Sequence, residues 1–171
     1  MGWVENEDNG LRQTRKMDDM AFRLQYKPLD YLLQQESVSL SNRAQRIKEL
    51  EGMHYFNLTF LPNELGKGDL LKQAVGSQAE YQQALYYYSY QFNERLWLLQ
   101  GQDTLPCTLF HFVRDHGLSP TLQFVLGFEN KGINEDMQLV VHDDVFQHGL
   151  IKFSITKKQL HSIPTINSEL L

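Results

Sequence analysis

The feature that most constrains this chain is an alternation of apolar and polar residues that recurs from residue 20 to residue 155. It is cleanest at Met20–Lys27, where Phe22, Leu24 and Tyr26 alternate with Arg23, Gln25 and Lys27 until Pro28 stops the run. Successive side chains of a strand point to opposite faces, so the pattern specifies a sheet with one dry face and one wet face. Similar segments follow at 53–61, 107–114, 121–129 and 149–155. The pattern describes a scaffold and carries no chemistry of its own.

The polar stretch 1–18, with Glu5, Glu7, Asp8, Asn9 and Gly10 close together, reads as a mobile tail or linker ahead of one globular domain over 19–171. Leu29, Leu32 and Leu33 suggest a short helical turn. Ala44, Ile47 and Leu50 form one stripe of a helix over 42–51, ended by Gly52. In the strand 53–61, His54, Phe56, Leu58 and Phe60 share a side. Asn57-Leu58-Thr59 has the form of a glycosylation sequon but falls inside this strand. A short helix near 69–75 precedes the longest one, over 77–92, where Ser77 and Glu80 fit a capping box and Tyr81, Leu85, Tyr88 and Phe92 form the inner stripe. A meander then begins, with strands at 95–99, 107–114, 121–129, 137–142 and 150–155 and a last helix at 156–161. A chain of 171 residues suits one domain. The expectation is therefore a single α+β domain: an antiparallel sheet of about six or more strands, with helices from 29–51 and 69–92 packed against it.

Charge and cysteine content narrow the function. A formal net charge of −5 with scattered Lys and Arg argues against nucleic acid as a partner. Cys107 is alone, so no intrachain disulfide forms. Met1-Gly2 opens like a myristoylation signal, but Asn6 stands where Ser or Thr is required. No run reaches the length of a membrane span, and the chain contains no nucleophile elbow, phosphate loop or dinucleotide fingerprint.

Histidine, aspartate and tyrosine supply the candidate sites. His142, Asp143 and His148, with His111 and His116 beside the preceding hairpin, offer imidazole and carboxylate ligands at strand ends. Their spacing matches no metal motif, and Asp143-Asp144 also reads as a solvated turn, so the sequence assigns no metal and no cofactor. Cys107 and His111 share a strand face at a separation of roughly 13 Å, too far for a nucleophile–base pair. Residues 130–136 hold several oxygen ligands but lack the flanking helices of a calcium loop and read as a hairpin connector. Tyr86-Tyr87-Tyr88 sweeps about 200° of helix surface, more than one core face absorbs. If Tyr88 points inward, Tyr86 and Tyr90 face outward as candidates for partner contact.

The segments Phe22-Arg23-Leu24-Gln25-Tyr26-Lys27-Pro28-Leu29-Asp30-Tyr31 and Asp103-Thr104-Leu105-Pro106-Cys107-Thr108-Leu109-Phe110-His111-Phe112 resemble uncharacterised envelope lipoproteins of the Bacteroidetes. Gly127-Phe128-Glu129 and Leu160-His161-Ser162-Ile163-Pro164 are similar in position. The resemblance implies an exported domain of the cell envelope, attached to the membrane only through a lipid anchor outside this sequence, and it brings no activity and no functional residue. The reading that follows is a non-catalytic binding or accessory module with an unidentified protein or glycan partner. Two alternatives stand beside it: a metal-dependent hydrolase built on His111, His116, His142, Asp143 and His148, and an intracellular adaptor or immunity-like protein of the cytoplasm.

Overall fold

The structure, a computed structural model, describes residues 2–64, 68–115 and 119–165. Its strands are β1 (Arg12–Lys16), β2 (Met20–Lys27), β3 (Met53–Pro62), β4 (Leu96–Gln100), β5 (Asp103–Pro106), β6 (Leu109–Val113), β7 (Leu122–Glu129), β8 (Met137–His142) and β9 (Leu150–Ile155). The helices are α1 (Gly2–Glu5), α2 (Leu29–Gln35), α3 (Leu40–Leu50), α4 (Leu70–Ala74), α5 (Gln78–Tyr90) and α6 (Lys157–His161). This is the α+β, antiparallel, single-domain architecture that the alternation predicts. The strands divide between two sheets: five in the order β1-β2-β3-β7-β6 and four in the order β5-β4-β8-β9.

Alternation decides which faces meet. Phe22 lies opposite Phe60 and Leu24 opposite Leu58, while Leu58 in turn lies opposite Phe124. These side chains share one hydrophobic core with Leu98, Leu139, Val141, Ile151 and Phe153 of the smaller sheet. The chain passes between the sheets at Cys107-Thr108, where the Thr108 N–H donates to the Gly127 carbonyl at 3.0 Å. Gly127 is required at that corner, because a Cβ there would lie 2.8 Å from the Leu109 Cβ. Cys107 thus precedes β6 rather than opening it.

The N-terminal segment corrects the expectation of a free tail. β1 pairs with β2 from Arg12 opposite Gln25 to Lys16 opposite Ala21, and Val4 and Leu11 are buried. Gln13 Nε2 donates to the Ser154 carbonyl at 2.7 Å and Arg15 Nε to the Lys152 carbonyl at 3.3 Å, so side chains join the outer edge of β1 to β9. Both faces of β1 carry polar residues because this edge strand bridges to β9 on one side and meets water on the other. A strand so built gives no hydrophobic period.

Two helices differ in detail from their sequence patterns. In α3 only Leu50 is buried, and the helix is tied to α2 by Arg43–Asp30 at 3.5 Å. At α5, Ser77 Oγ accepts from the Glu80 N–H, but the Glu80 carboxylate takes the Gly76 N–H at 2.6 Å, so the return bond of the capping box is missing. The complete box stands instead at α6, between Thr156 and Gln159.

Candidate functional site

The tyrosine run divides as helix geometry requires. Tyr88 is fully buried among Phe60, Phe92, Phe112 and Phe124, with centroid separations of 5.3–6.0 Å. Its hydroxyl donates to Asp143 Oδ1 at 2.6 Å. Tyr87 is half-buried, and its hydroxyl accepts the Asp144 N–H at 3.2 Å. Tyr86 and Tyr90 are 58% and 66% exposed, and their rings lie 5.1 Å apart one turn from each other. Tyr90 borders a shallow groove along β6, the edge strand of the larger sheet, together with Ser89, His111 and Val113. The Arg114 guanidinium donates to Ser89 Oγ and ties helix to strand.

The residues of the hydrolase alternative do not converge. Asp143 is 1% exposed, with Oδ1 on Tyr88 and Oδ2 accepting the Phe146 N–H at 2.6 Å. Burial holds its carboxyl above the ordinary value, against the lowering effect of those hydrogen bonds. His148 packs edge-on to Phe22 and places Nε2 2.9 Å from Asp19 Oδ1. His142 ends β8 opposite Leu150, and His111 is exposed on β6. His116 lies outside the described residues. Among the described residues no three His, Cys, Asp or Glu side chains gather to hold an ion. Cys107 is buried, which pushes its thiol up to about 12, so it is no thiolate nucleophile at neutral pH.

A surface that the alternation did not reveal lies on the outer face of the smaller sheet. Trp97 stands opposite Val140, and Leu99 and Leu150 complete an apolar patch rimmed by Thr104 and Lys152. Leu150 is 58% exposed. The signal was present as the unbroken apolar runs Leu96-Trp97-Leu98-Leu99 and Leu139-Val140-Val141. Such runs mark strands with two apolar faces, where alternation marks one.

A second buried polar group lies on the face that His54 shares with Phe56, Leu58 and Phe60. His54 points into the core from β3, with Nδ1 3.4 Å from the Tyr26 hydroxyl. Burial pulls its pKa below the ordinary value, and the Gln100 side chain opposes this more weakly. Gln100 itself donates to the Ile133 carbonyl at 2.9 Å and so pins the connector 130–136, which joins β7 of one sheet to β8 of the other and is therefore not the hairpin connector that the sequence suggests.

No helix among the described residues is long and apolar enough to cross a membrane. Comparison with protein-family models, curated proteins and solved structures found no match to any of them.

Proposed function

We propose that the chain is a non-catalytic binding module of a bacterial cell envelope, carried on a lipid anchor, that engages a protein partner. Its placement and anchor rest on the resemblance to envelope lipoproteins. The binding role rests on the apolar outer face of Trp97, Leu99, Val140 and Leu150. Apolar surface gathered on one sheet face favours cover by a partner, whereas single exposed apolar residues need none. The aliphatic members of this patch offer no hydrogen bonds to sugar hydroxyls, which favours protein over glycan. Tyr86 and Tyr90 form a second candidate contact, since two clear rings on a rigid helix give large contact area for little lost freedom.

Photo-cross-linking in intact cells tests the reading. A photoreactive residue at position 150 is expected to give one discrete adduct, and the same residue at position 59, on the outer face of the larger sheet, none. Leu150→Lys should abolish partner capture with the melting temperature held, and Tyr86→Ala should weaken it if the helix takes part. Hot-spot side chains of this kind are worth about 2 kcal/mol or more. Equal labelling from both positions, or capture untouched by Leu150→Lys, would remove the patch from the argument. Recovery of the full gene product in the soluble fraction, without acyl label, would remove the anchor.

A further inference from the structure

The outer face of the larger sheet carries a pocket of about 250 Å³ lined by charged and polar residues. β2 supplies Arg23, Gln25 and Lys27 to its floor, and β3 supplies Asn57 and Thr59. In register, Arg12, Gln25 and Asn57 lie side by side across three strands, and Arg23 lies opposite Thr59. The wall is Glu5, Tyr31 and Gln35: the Tyr31 hydroxyl donates to Glu5 Oε1 at 2.7 Å and accepts from Gln35 Nε2 at 3.0 Å.

The charges in this pocket do not cancel. Glu5 is its one carboxylate, and it lies 3.7 Å from Arg12. Arg12 is further held by Gln25 Oε1 at 2.7 Å. Arg23 makes no direct ion pair among the described residues: its Nε reaches Thr14 Oγ1 at 3.4 Å, and Thr14 in turn donates to the exposed Glu7 carboxylate outside the pocket at 2.6 Å. Lys27 Nζ donates to Gln35 Oε1 at 3.3 Å and, in the amide orientation that satisfies Asn57, to the Asn57 carbonyl at 3.1 Å. Partial burial lowers the Lys27 pKa. The lining therefore carries three cations, Arg12, Arg23 and Lys27, against the one carboxylate of Glu5, a local excess of two positive charges in a protein whose formal net charge is −5.

Fixed neutral groups already hold these cations in place. Thr14 takes Arg23, Gln35 and the Asn57 side chain take Lys27, and Gln25, which takes Arg12, is itself fixed by Nε2 bonds to the Val4 and Tyr26 carbonyls at 3.1 and 2.8 Å. We propose that this pocket binds a small dianion, a phosphate monoester or a dicarboxylate, over the face where the long side chains of Arg23 and Lys27 flank Gln25. A guanidinium offers a planar fork of donors to an oxyanion, and an ammonium offers a compact point charge. Two charges on the ligand balance the two left by the protein. The Thr59 hydroxyl is a further donor at the floor.

The site shares no residue with the patch on the smaller sheet or with the tyrosine pair, so it stands or falls separately from the binding role above. The test is a titration of the full ¹⁵N-labelled chain with inorganic phosphate, succinate and sodium chloride at matched ionic strength. Saturable shifts at Arg23, Gln25, Lys27, Asn57 and Thr59 are expected with a dianion and not with chloride. A response to phosphate alone assigns the phosphate source, and one to succinate alone the dicarboxylate source. Arg23→Gln and Lys27→Gln should each weaken binding at least about tenfold, the effect of losing one charge-assisted contact. The proposal is overturned if neither dianion saturates, if chloride gives the same shifts, or if the shifts map away from these residues. The last criterion uses the wild-type chain and holds even if a variant fails to fold.

Discussion

At the scale of single residues, the buried pairs set the stakes. Tyr88 and Asp143 join α5 to the turn after β8 by one hydrogen bond in a site closed to water. Tyr88→Phe keeps the ring and leaves Asp143 Oδ1 without its donor, which should cost about 1–3 kcal/mol in a denaturant titration. His54 gives a pH dependence of definite sign. Its folded pKa lies below the ordinary value of 6.5, so the unfolded chain takes up the proton first. The stabilising contribution of the neutral ring is complete above 6.5 and is lost as pH falls from there through the folded value. Asp143, whose pKa is raised, acts in the opposite sense and favours the fold as pH falls. Lowering the pH from about 7.5 to about 5 should therefore depress the melting temperature of wild type more than that of His54→Leu. Equal shifts in the two would show that His54 is protonated in the folded protein. The division of the tyrosine run was legible because 3.6 residues per turn cannot put three neighbours on one face. The Tyr88–Asp143 bond was not, since 55 residues separate its ends.

At the scale of elements, legibility followed hydrophobic period. β3 buries one face alone, and β2 and β7 do so apart from Ala21, Gln25 and Gly127 on their other faces, so their sequences alternate. β4 is apolar on both faces, and β8 adds only Val140 to the outward one, between Gln138 and His142, so strand character is readable while the outward patch is not. β1 is polar on both faces and was invisible. Its energetic weight is nonetheless considerable. Leu11 is 1% exposed, and a fully buried leucine contributes about 1.5–3 kcal/mol. The β1–β2 ladder and the Gln13 and Arg15 bonds to β9 add to that. Removal of residues 1–16 should thus lower stability by about 3 kcal/mol or more, roughly 6–12 °C in melting temperature for a chain of this size. A truncated chain melting within a degree or two of wild type would mean that the segment is a dispensable appendage.

At the scale of the whole molecule, the two sheets have one core between them, and that predicts one unfolding transition. Phe124 of β7 is 1% exposed, and its ring lies 5.0–5.4 Å from those of Phe60, Phe92, Phe112 and Tyr88. Alternation placed it on the dry face; its contacts to α5 needed the tertiary fold. Phe124→Ala removes the centre of this cluster and should cost about 3–5 kcal/mol. Because this cluster belongs to one buried core that α5 and both sheets share, the loss should be felt everywhere at once. Trp97 reports on the smaller sheet alone once Trp3, at the N-terminus, is replaced by Phe, and far-ultraviolet circular dichroism reports on all of the secondary structure. In Trp3→Phe and in Trp3→Phe/Phe124→Ala, the two signals should give coincident denaturant midpoints, with both midpoints lowered together by the second substitution. A Trp97 midpoint that stays in place while the dichroism midpoint falls would mean that the smaller sheet holds a core of its own, and that the shared packing of Leu98, Leu139 and Phe153 with the larger sheet adds little to stability.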